Sequence, residues 1–256
     1  TVAQDRIEDD AWQRSVALCT DDFDEDGVAD VIVRYASASG GGLMLLRGNV
    51  DAIYPNTVEA RARRAAGASL DEPFLPSIQV AETASAPDHL VAGDFDNDGH
   101  RDVAYATRGA EAVCFALGNG RGALTTRRPI PLPGPIRSLE AGELGRADGL
   151  LELFVEVGDP SSAQSPSGSS SLVLESERGA ARALPRAIQP TDSVRKSAAN
   201  AANGAGSPDG TVLRMRLNED AVDDLVILRP DARTPALKLS SPRATFTVSN
   251  TNDSGT

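Results

Sequence analysis

The sequence predicts an all-β protein assembled from about four copies of one unit, because a short acidic motif recurs and is followed each time by similar segments. Thr20–Asp30 reads TDDFDEDGVAD and Ala92–Asp102 reads AGDFDNDGHRD, with six of eleven positions identical at a separation of 72 residues. Each copy precedes a β-branched or aromatic stretch, VIVRYA or VAYATR, which is typical of a strand. A second apolar run then ends in a glycine turn, at 42–49 and 112–122. Such repetition indicates a fold built from copies of one unit.

Two weaker copies complete the series. Ala141–Leu153, AGELGRADGLLEL, matches the motif after one inserted residue and is followed by the strand-like segments LFVEV and SLVLES. Asn218–Arg229, NEDAVDDLVILR, aligns without a gap on part of the first copy. The Asp-Gly position falls at residues 26, 98, 148 and 220, which fits a unit of about 50 residues with insertions. We expect a short helix at 57–67 and flexible polar loops at 160–171 and 191–210.

Composition excludes several classes of function. The 256 residues include 37 acidic and 25 basic side chains, a net charge of −12 that opposes binding to nucleic acid. No apolar run approaches the roughly 20 residues that cross a bilayer, so we expect no membrane insertion. Only two histidines, His89 and His100, are present, and no nucleophile-elbow, zincin or P-loop motif occurs, so no catalytic residue is predicted. Cys19 and Cys114 lie in apolar stretches and are expected to be unpaired thiols.

The repeated motif has the spacing of a cation-binding loop. In D-x-D-x-D-G-x-x-D, alternate side chains converge, the glycine permits a sharp turn, the seventh residue offers its carbonyl and the ninth adds a carboxylate. Such hard oxygens suit Ca²⁺, whereas Mg²⁺ requires a tighter octahedron and Zn²⁺ prefers nitrogen or sulfur. The His100 side chain is expected at the surface and not on the metal. The predicted ligands are Asp22, Asp24, Asp26, the Val28 carbonyl and Asp30 in the first copy, and Asp94, Asp96, Asp98, the His100 carbonyl and Asp102 in the second.

An EF-hand and a metal-free Asp-rich turn are the alternative explanations. The EF-hand needs a bidentate acid at position 12, where Val33 and Tyr105 stand, and it needs flanking helices. Asp and Gly favour turns without any metal, but four inward-facing carboxylates within nine residues repel one another unless a cation is present. The other two copies are expected to be structural remnants because they keep fewer acids: Glu143, Asp148 and Glu152 in the third, and Asn218, Asp220 and Asp224 in the fourth.

The segment VAGDFDNDGHRDVAYA followed by FALGNGRGAL resembles the FG-GAP/VCBS repeat of integrin α-subunit propellers and many secreted bacterial proteins. The resemblance covers roughly residues 12–240 with gaps and is strongest in the first two copies. It implies a β-propeller of four-stranded antiparallel blades, in which the acidic loop joins the first two strands of a blade and holds structural calcium. It also implies a secreted, extracellular or cell-surface setting. The tail FTVSNTNDSGT resembles the opening of secreted parallel β-helix modules, so we expect a further extracellular domain to follow.

These patterns divide the chain into blades and connecting segments. Residues 1–11 are expected to be a lead-in or the end of a preceding blade, and residues 245–256 a linker to a following domain. Propellers have about 4–8 blades, so a chain of this length predicts a partial propeller or a small ring. The propeller is expected over 12–244, with blades at about 12–84, 85–134, 135–190 and 211–244 and the flexible loop at 191–210.

The sequence favours a non-catalytic, calcium-binding propeller that acts as an adhesion or protein-interaction scaffold in a secreted or surface multidomain protein. Its ligand would be a protein or a glycan. A carbohydrate-binding lectin is an alternative, although Trp12 and Tyr54 are the only plausible aromatic platforms. An enzyme acting on polysaccharides is a further alternative, although no acid/base set can be named outside the acidic loops. Arg outnumbers Lys 23 to 2, a bias typical of GC-rich bacterial genomes.

Overall fold

A computed structural model describes residues 17–37, 40–68, 72–144, 149–158, 169–175, 186–188, 211–217, 222–228 and 235–240. These residues are predominantly β, in four separate antiparallel sheets, which confirms the β-rich class expected from the sequence. None of the sheets closes on itself. None of the helices in these ranges has the length and apolar character needed to cross a lipid bilayer.

Each sheet follows the order of its strands along the chain, so every neighbouring pair is a local hairpin. The first sheet contains β1 (Leu18–Asp21), β2 (Asp30–Ser37), β3 (Gly40–Gly48) and β4 (Phe74–Thr83). The second contains β5 (His89–Gly93), β6 (Asp102–Ala106), β7 (Ala112–Leu117) and β8 (Thr125–Thr126), and β9 (Ile130–Pro131) also pairs with β7. The third contains β10 (Ile136–Gly142), β11 (Glu152–Gly158), β12 (Ser169–Glu175) and β13 (Arg186–Ile188). The fourth contains β14 (Thr211–Met215), β15 (Asp224–Leu228) and β16 (Ala236–Lys238).

Two short helices separate β3 from β4, and the second of them confirms the helix expected at 57–67. These are α1 (Val50–Ile53) and α2 (Val58–Ala65). The Thr57 side chain caps α2 by accepting a hydrogen bond from the Ala60 N–H at 3.2 Å, which satisfies one of the free donors of the first turn. Arg63 of α2 pairs with Asp51 of α1, Nε to Oδ2 at 2.6 Å, and so ties the two helices together.

Hydrophobic cores lie between consecutive sheets. Ile32 and Leu43 of the first sheet share a core with Val103 of the second. Phe115 of the second sheet shares a core with Leu153 of the third, and its ring meets that of Phe95 edge-on at 5.6 Å. A smaller core joins the third and fourth sheets. The first strands of consecutive sheets also contact one another, β1 with β5, β5 with β10 and β10 with β14. The sheets therefore pack face to face in chain order.

The connection from the first to the second strand has nearly the same length in every sheet, and in the first two sheets it carries the acidic residues of the motif. These connections are loop 1 (residues 22–29), loop 2 (94–101), loop 3 (143–151) and loop 4 (216–223), so only loop 3 carries one extra residue. In each sheet the second strand begins with an acid that pairs with the last residue of the first strand. The pairs are Asp21 with Asp30, Gly93 with Asp102, Gly142 with Glu152, and Met215 with Asp224.

The two cysteines are free thiols, as expected from their apolar surroundings. Burial and the nearby charge of Asp21 raise the pKa of Cys19 to about 12, so this thiol stays protonated at neutral pH. Burial also raises the pKa of Cys114, which is only partly exposed. Neither sulfur therefore has the thiolate character that makes a cysteine reactive.

Candidate metal centre

Loop 1 brings three carboxylates together. One oxygen each from Asp22, Asp24 and Asp30 lies within 4.8 Å of the others, and the side chains are half-buried or buried. Loop 2 repeats the arrangement with its own three aspartates, Asp94, Asp96 and Asp102. The first, third and ninth positions of the motif thus converge in both loops, whereas the fifth position, which the spacing also predicted to converge, is not part of either cluster.

The backbone of each loop folds around its first aspartate. The Asp22 carboxylate accepts hydrogen bonds from the N–H groups of Asp26, at 3.1 Å, and Gly27, at 2.9 Å. Gly27 has a φ of 87°, a left-handed conformation that favours glycine. In loop 2, Asp94 accepts from the Gly99 N–H at 3.0 Å, and Gly99 has a φ of 90°. The motif glycine therefore serves the turn that the sequence predicts.

The third-position aspartates carry the observation that points to a cation. Oδ1 of Asp24 and Oδ1 of Asp96 are both buried and have no hydrogen-bond partner. The Asp24 side chain is 3% exposed and Asp96 is 1% exposed. A buried carboxylate oxygen without a donor is costly, because that oxygen has lost its hydrogen bonds to water and gained none in return. A bound cation in each cluster would supply the missing partner.

The fifth-position aspartates lie outside these clusters of three. Oδ1 of Asp26 accepts from the Val28 N–H at 2.9 Å, and Oδ1 of Asp98 accepts from the His100 N–H at 2.9 Å. One oxygen of each is thus used to shape the turn. Coordination by Asp26, by Asp98 and by the carbonyls of Val28 and His100 stays a prediction.

The His100 side chain contacts an acid of the neighbouring loop. Its Nδ1 lies 2.6 Å from Oε1 of Glu25, which belongs to loop 1. A backbone hydrogen bond from the Gly122 N–H to the Phe23 carbonyl, at 3.1 Å, also reaches loop 1 from the second sheet. The two candidate sites therefore lie in neighbouring, directly connected loops.

The ninth-position acids have a structural role that the motif spacing alone did not predict. Asp30 accepts from the Phe23 N–H at 3.0 Å and, through its other oxygen, from the Gly48 N–H at 2.7 Å at the end of β3. Asp102 makes the equivalent contacts in the second sheet. It accepts from the Phe95 N–H and from the Gly118 N–H just after β7, both at 2.9 Å. Each acid therefore joins its loop to the end of the third strand.

The fourth sheet uses its equivalent acid in the same way. Asp224 accepts from the N–H groups of Leu217 and Ser240, both at 2.8 Å, and is fully buried. In the third sheet Glu152 accepts from the Leu144 N–H at 2.6 Å. The signal in the sequence was an acid retained at this position in all four copies while other acids were lost. The other candidates named in these copies, Asp148, Asn218 and Asp220, lie outside the described residues.

Loops 3 and 4 face each other through charged groups of opposite sign. Arg216 occupies the place of the first aspartate, and its Nε lies 3.3 Å from Oδ1 of Asp223. Its Nη2 lies 3.8 Å from Oε2 of Glu143 in loop 3. The two loops are also joined by the Asp223 N–H, which donates to the Glu143 carbonyl at 2.6 Å. In this pair of loops Arg216 therefore offsets the negative charge of Asp223 and Glu143.

Burial, together with the crowding of acids, raises the pKa of several carboxyl groups in loops 1 and 2. Burial raises the pKa of Asp96, and the charges of Asp98 and Asp94 raise it further. Burial raises the pKa of Asp102 to about 7, although its two backbone donors oppose the change. The carboxylates are therefore held in a charged cluster that favours protonation or a counter-ion.

In calcium-free buffer the chain is expected to become more stable as the pH falls from about 8 to about 5. The folded-state pKa of Asp102 is about 7, above its ordinary 3.8, so this stability is fully present below 3.8 and is lost as the pH rises through about 7. Urea unfolding in EDTA across this range measures the effect. Asp102→Asn serves as the control. It should reduce the slope of the unfolding free energy against pH, whatever the absolute stability of the variant. Stability that falls on acidification over this interval would contradict the expectation.

The donor set is made of hard oxygens, which fits Ca²⁺ better than a metal that prefers nitrogen or sulfur. Three carboxylates and the predicted carbonyl supply several of the 6–8 oxygens that Ca²⁺ takes, and water can supply the rest. No protein-family model and no curated protein matches this chain. The argument for a metal therefore depends on the geometry of the loops.

Proposed function

We propose that this chain is a calcium-stabilised, non-catalytic β-propeller segment of the FG-GAP/VCBS type that serves as an adhesion or interaction scaffold. The observation that carries the proposal is the pair of buried, unpartnered oxygens on Asp24 and Asp96, each inside a cluster of three carboxylates. Calcium would be held by Asp22, Asp24 and Asp30 in loop 1 and by the corresponding aspartates in loop 2. When bound, it supplies positive charge and oxygen coordination.

The arrangement of the sheets supports the propeller. Blades of a propeller are four-stranded antiparallel sheets arranged around a common centre. Here consecutive sheets share hydrophobic cores, and their first strands lie next to one another in chain order. This is the relation expected of successive blades whose first strands are innermost. In the first two sheets the acidic loop follows the first strand, as the resemblance of these copies to FG-GAP/VCBS repeats implies.

A scaffold role is proposed because the acids of loops 1 and 2 would be occupied by backbone hydrogen bonds and by the ion. The ninth-position acids bind backbone N–H groups, and the remaining loop acids would be neutralised by the ion, so none is available as a general base. Calcium would then act on stability, not on chemistry. A secreted or surface setting follows from the same reasoning, because calcium at millimolar concentration would keep such sites filled.

A glycan ligand is the second candidate, and one residue favours it. Tyr54, at the end of α1, is 51% exposed, as a stacking platform for a sugar would be. Trp12, the other aromatic named from the sequence, lies outside the described residues. Glycan-array binding that is lost in Tyr54→Ala would support this ligand, whereas an array without signal would leave a protein ligand as the proposal.

Native mass spectrometry and calorimetric titration with CaCl₂ test the metal assignment. We expect two ions per chain, and one ion in Asp96→Asn, which removes a charge at the site without removing a hydrogen bond to Oδ1. Mg²⁺ should not compete at equal concentration, because it demands a tighter octahedral shell. A chain that binds no calcium at millimolar concentration would refute the assignment.

A further inference from the structure

Arg47 places a positive charge in loop 1 that loop 2 lacks. Its guanidinium contacts the carboxylate of Asp24 through Nε and Nη2. Gly48 and Gly118 each donate an N–H to the ninth-position acid of their sheet, so the residues before them occupy equivalent positions. The equivalent of Arg47 in the second sheet is therefore Leu117, a buried side chain of the hydrophobic core.

Loop 2 has no comparable cation in the described part of the chain. No ion pair there reaches Asp94, Asp96 or Asp98. In loop 1, by contrast, Oδ2 of Asp24 is already paired with Arg47, and only Oδ1 lacks a partner. The two clusters have the same carboxylate geometry but different net charge.

In loops 3 and 4, arginine side chains contact the remaining acids to a greater extent than in loop 1. Arg216 stands where loops 1 and 2 have their first aspartate, and it pairs with Asp223 and Glu143. Arg214 approaches the same Asp223 carboxylate, Nε to Oδ2 at 3.9 Å, and donates to the Ala141 carbonyl at 3.1 Å. Two guanidinium groups thus lie among the acids that remain in this pair of loops.

We propose that arginine side chains take over the role of calcium in a graded way along the chain. Loop 2 is then the dominant calcium site, loop 1 is a weaker site because Arg47 competes for Asp24, and loops 3 and 4 are held together without metal. The inference rests on the proposed calcium binding and adds the order in which the sites fill. At intermediate calcium concentration only loop 2 would be occupied.

The physical basis is direct electrostatic competition. A guanidinium in contact with a ligand carboxylate cancels part of the negative charge that attracts Ca²⁺ and repels the ion itself. Because the two charges lie only a few ångströms apart at a partly buried site, we expect an affinity difference of about tenfold. Asp24 is almost fully buried, so bulk water screens the pair weakly.

A matched pair of variants isolates the two sites in a calorimetric calcium titration. Asp22→Asn leaves loop 2 intact, and Asp94→Asn leaves loop 1 intact. Both residues accept the same backbone hydrogen bonds, so the two changes are structurally equivalent. We expect Asp22→Asn to retain the tight dissociation constant, and Asp94→Asn to bind one ion about tenfold more weakly.

Arg47→Met in the Asp94→Asn background tests the arginine itself. Removing the guanidinium should tighten the remaining site about tenfold, whereas Arg47→Lys, which keeps the charge, should change it little. Arg63→Met removes an arginine paired with Asp51, away from the loops, and should have no effect. Equal affinities at the two sites, or no response to Arg47→Met, would overturn this inference while leaving calcium binding intact. Absence of calcium binding in the unmodified chain would overturn both.

Discussion

Removal of calcium is expected to lower the melting temperature of the chain by about 10 °C. A site with a dissociation constant near 10 µM contributes roughly 2.7 kcal/mol of stability at 1 mM free calcium, through binding to the folded state alone. A second site that binds about tenfold more weakly would add about 1.4 kcal/mol, so the two sites would supply about 4 kcal/mol, a large share of the typical 5–15 kcal/mol for a folded domain. Thermal melts in 1 mM CaCl₂ and in EDTA measure the difference directly.

Asp96→Asn separates a metal ligand from a structural aspartate. Its Oδ1 has no hydrogen-bond partner, and burial together with the neighbouring charges of Asp98 and Asp94 raises the pKa of this carboxyl. In EDTA the neutral amide should therefore be tolerated or slightly stabilising. In calcium the same change should cost about two thirds of the ion-dependent stability, because the tighter of the two proposed sites is lost. The melting curves of the variant in calcium and in EDTA should therefore lie closer together than those of the unmodified chain.

Two results would contradict this assignment. Melts that coincide with and without chelator would show that the acidic clusters are structural only. An Asp96→Asn variant that loses equal stability in calcium and in EDTA would show that its carboxylate supports the fold without a metal. Full recovery of the melting temperature by equimolar Mg²⁺ would instead point to a site that does not select for Ca²⁺.

Local sequence predicted the strands that follow the acidic motifs. The β-branched run after the first motif became β2 and the run after the second became β6, because alternating side chains can pack on both faces of a sheet. The basic, alanine-rich stretch at 57–67 became α2, with Thr57 as its cap. The first strands β1, β5, β10 and β14 were not individually predicted, because they are defined by their pairing with the second strands.

The spacing predicted that the first, third, fifth and ninth positions of loops 1 and 2 would converge, and the structure brings together all of them except the fifth. The separate backbone contacts of these acids could not be predicted. Spacing indicates which side chains share a side of a turn. It does not show that Asp30 also faces the Gly48 N–H from the end of another strand, since that contact depends on the sheet. The same holds for Arg47, which is 23 residues from Asp24 in sequence yet contacts its carboxylate. Long-range contacts of this kind follow from the packing and not from the motif.

Replacement of Asp224 by alanine is expected to destabilise the chain by about 3 kcal/mol, with or without calcium. The carboxylate is fully buried and accepts from the Leu217 and Ser240 N–H groups. Alanine would leave both donors without their charged acceptor, and each hydrogen bond to a charged group contributes about 1.5–3 kcal/mol. Part of the loss is offset because burying the carboxylate itself is unfavourable. Urea unfolding at neutral pH measures the change in free energy.

Asp224→Asn is expected to be almost as harmful as Asp224→Ala. An asparagine side chain keeps one acceptor oxygen but turns an NH₂ donor toward the second backbone N–H. Glu111→Ala is the matched surface control, because Glu111 is exposed, and it should stay within about 0.5 kcal/mol of the unmodified chain. Destabilisation of Asp224→Ala no larger than this control would refute the structural role of the ninth-position acid.

Calcium dependence of the Asp224→Ala effect distinguishes an arginine-compensated loop from a metal-binding loop. Arg216 and Arg214 already lie beside the acids of loops 3 and 4, so removing Asp224 should not change calcium binding at the other loops. Effects at independent sites add to within about 0.5 kcal/mol, so the loss measured in calcium and in EDTA should agree to that margin. A loss larger in calcium by one site's share, roughly 2.7 kcal/mol, would mean that loop 4 binds an ion through Asp224. The same variant therefore tests both the backbone role of this acid and the restriction of calcium to the first two sheets.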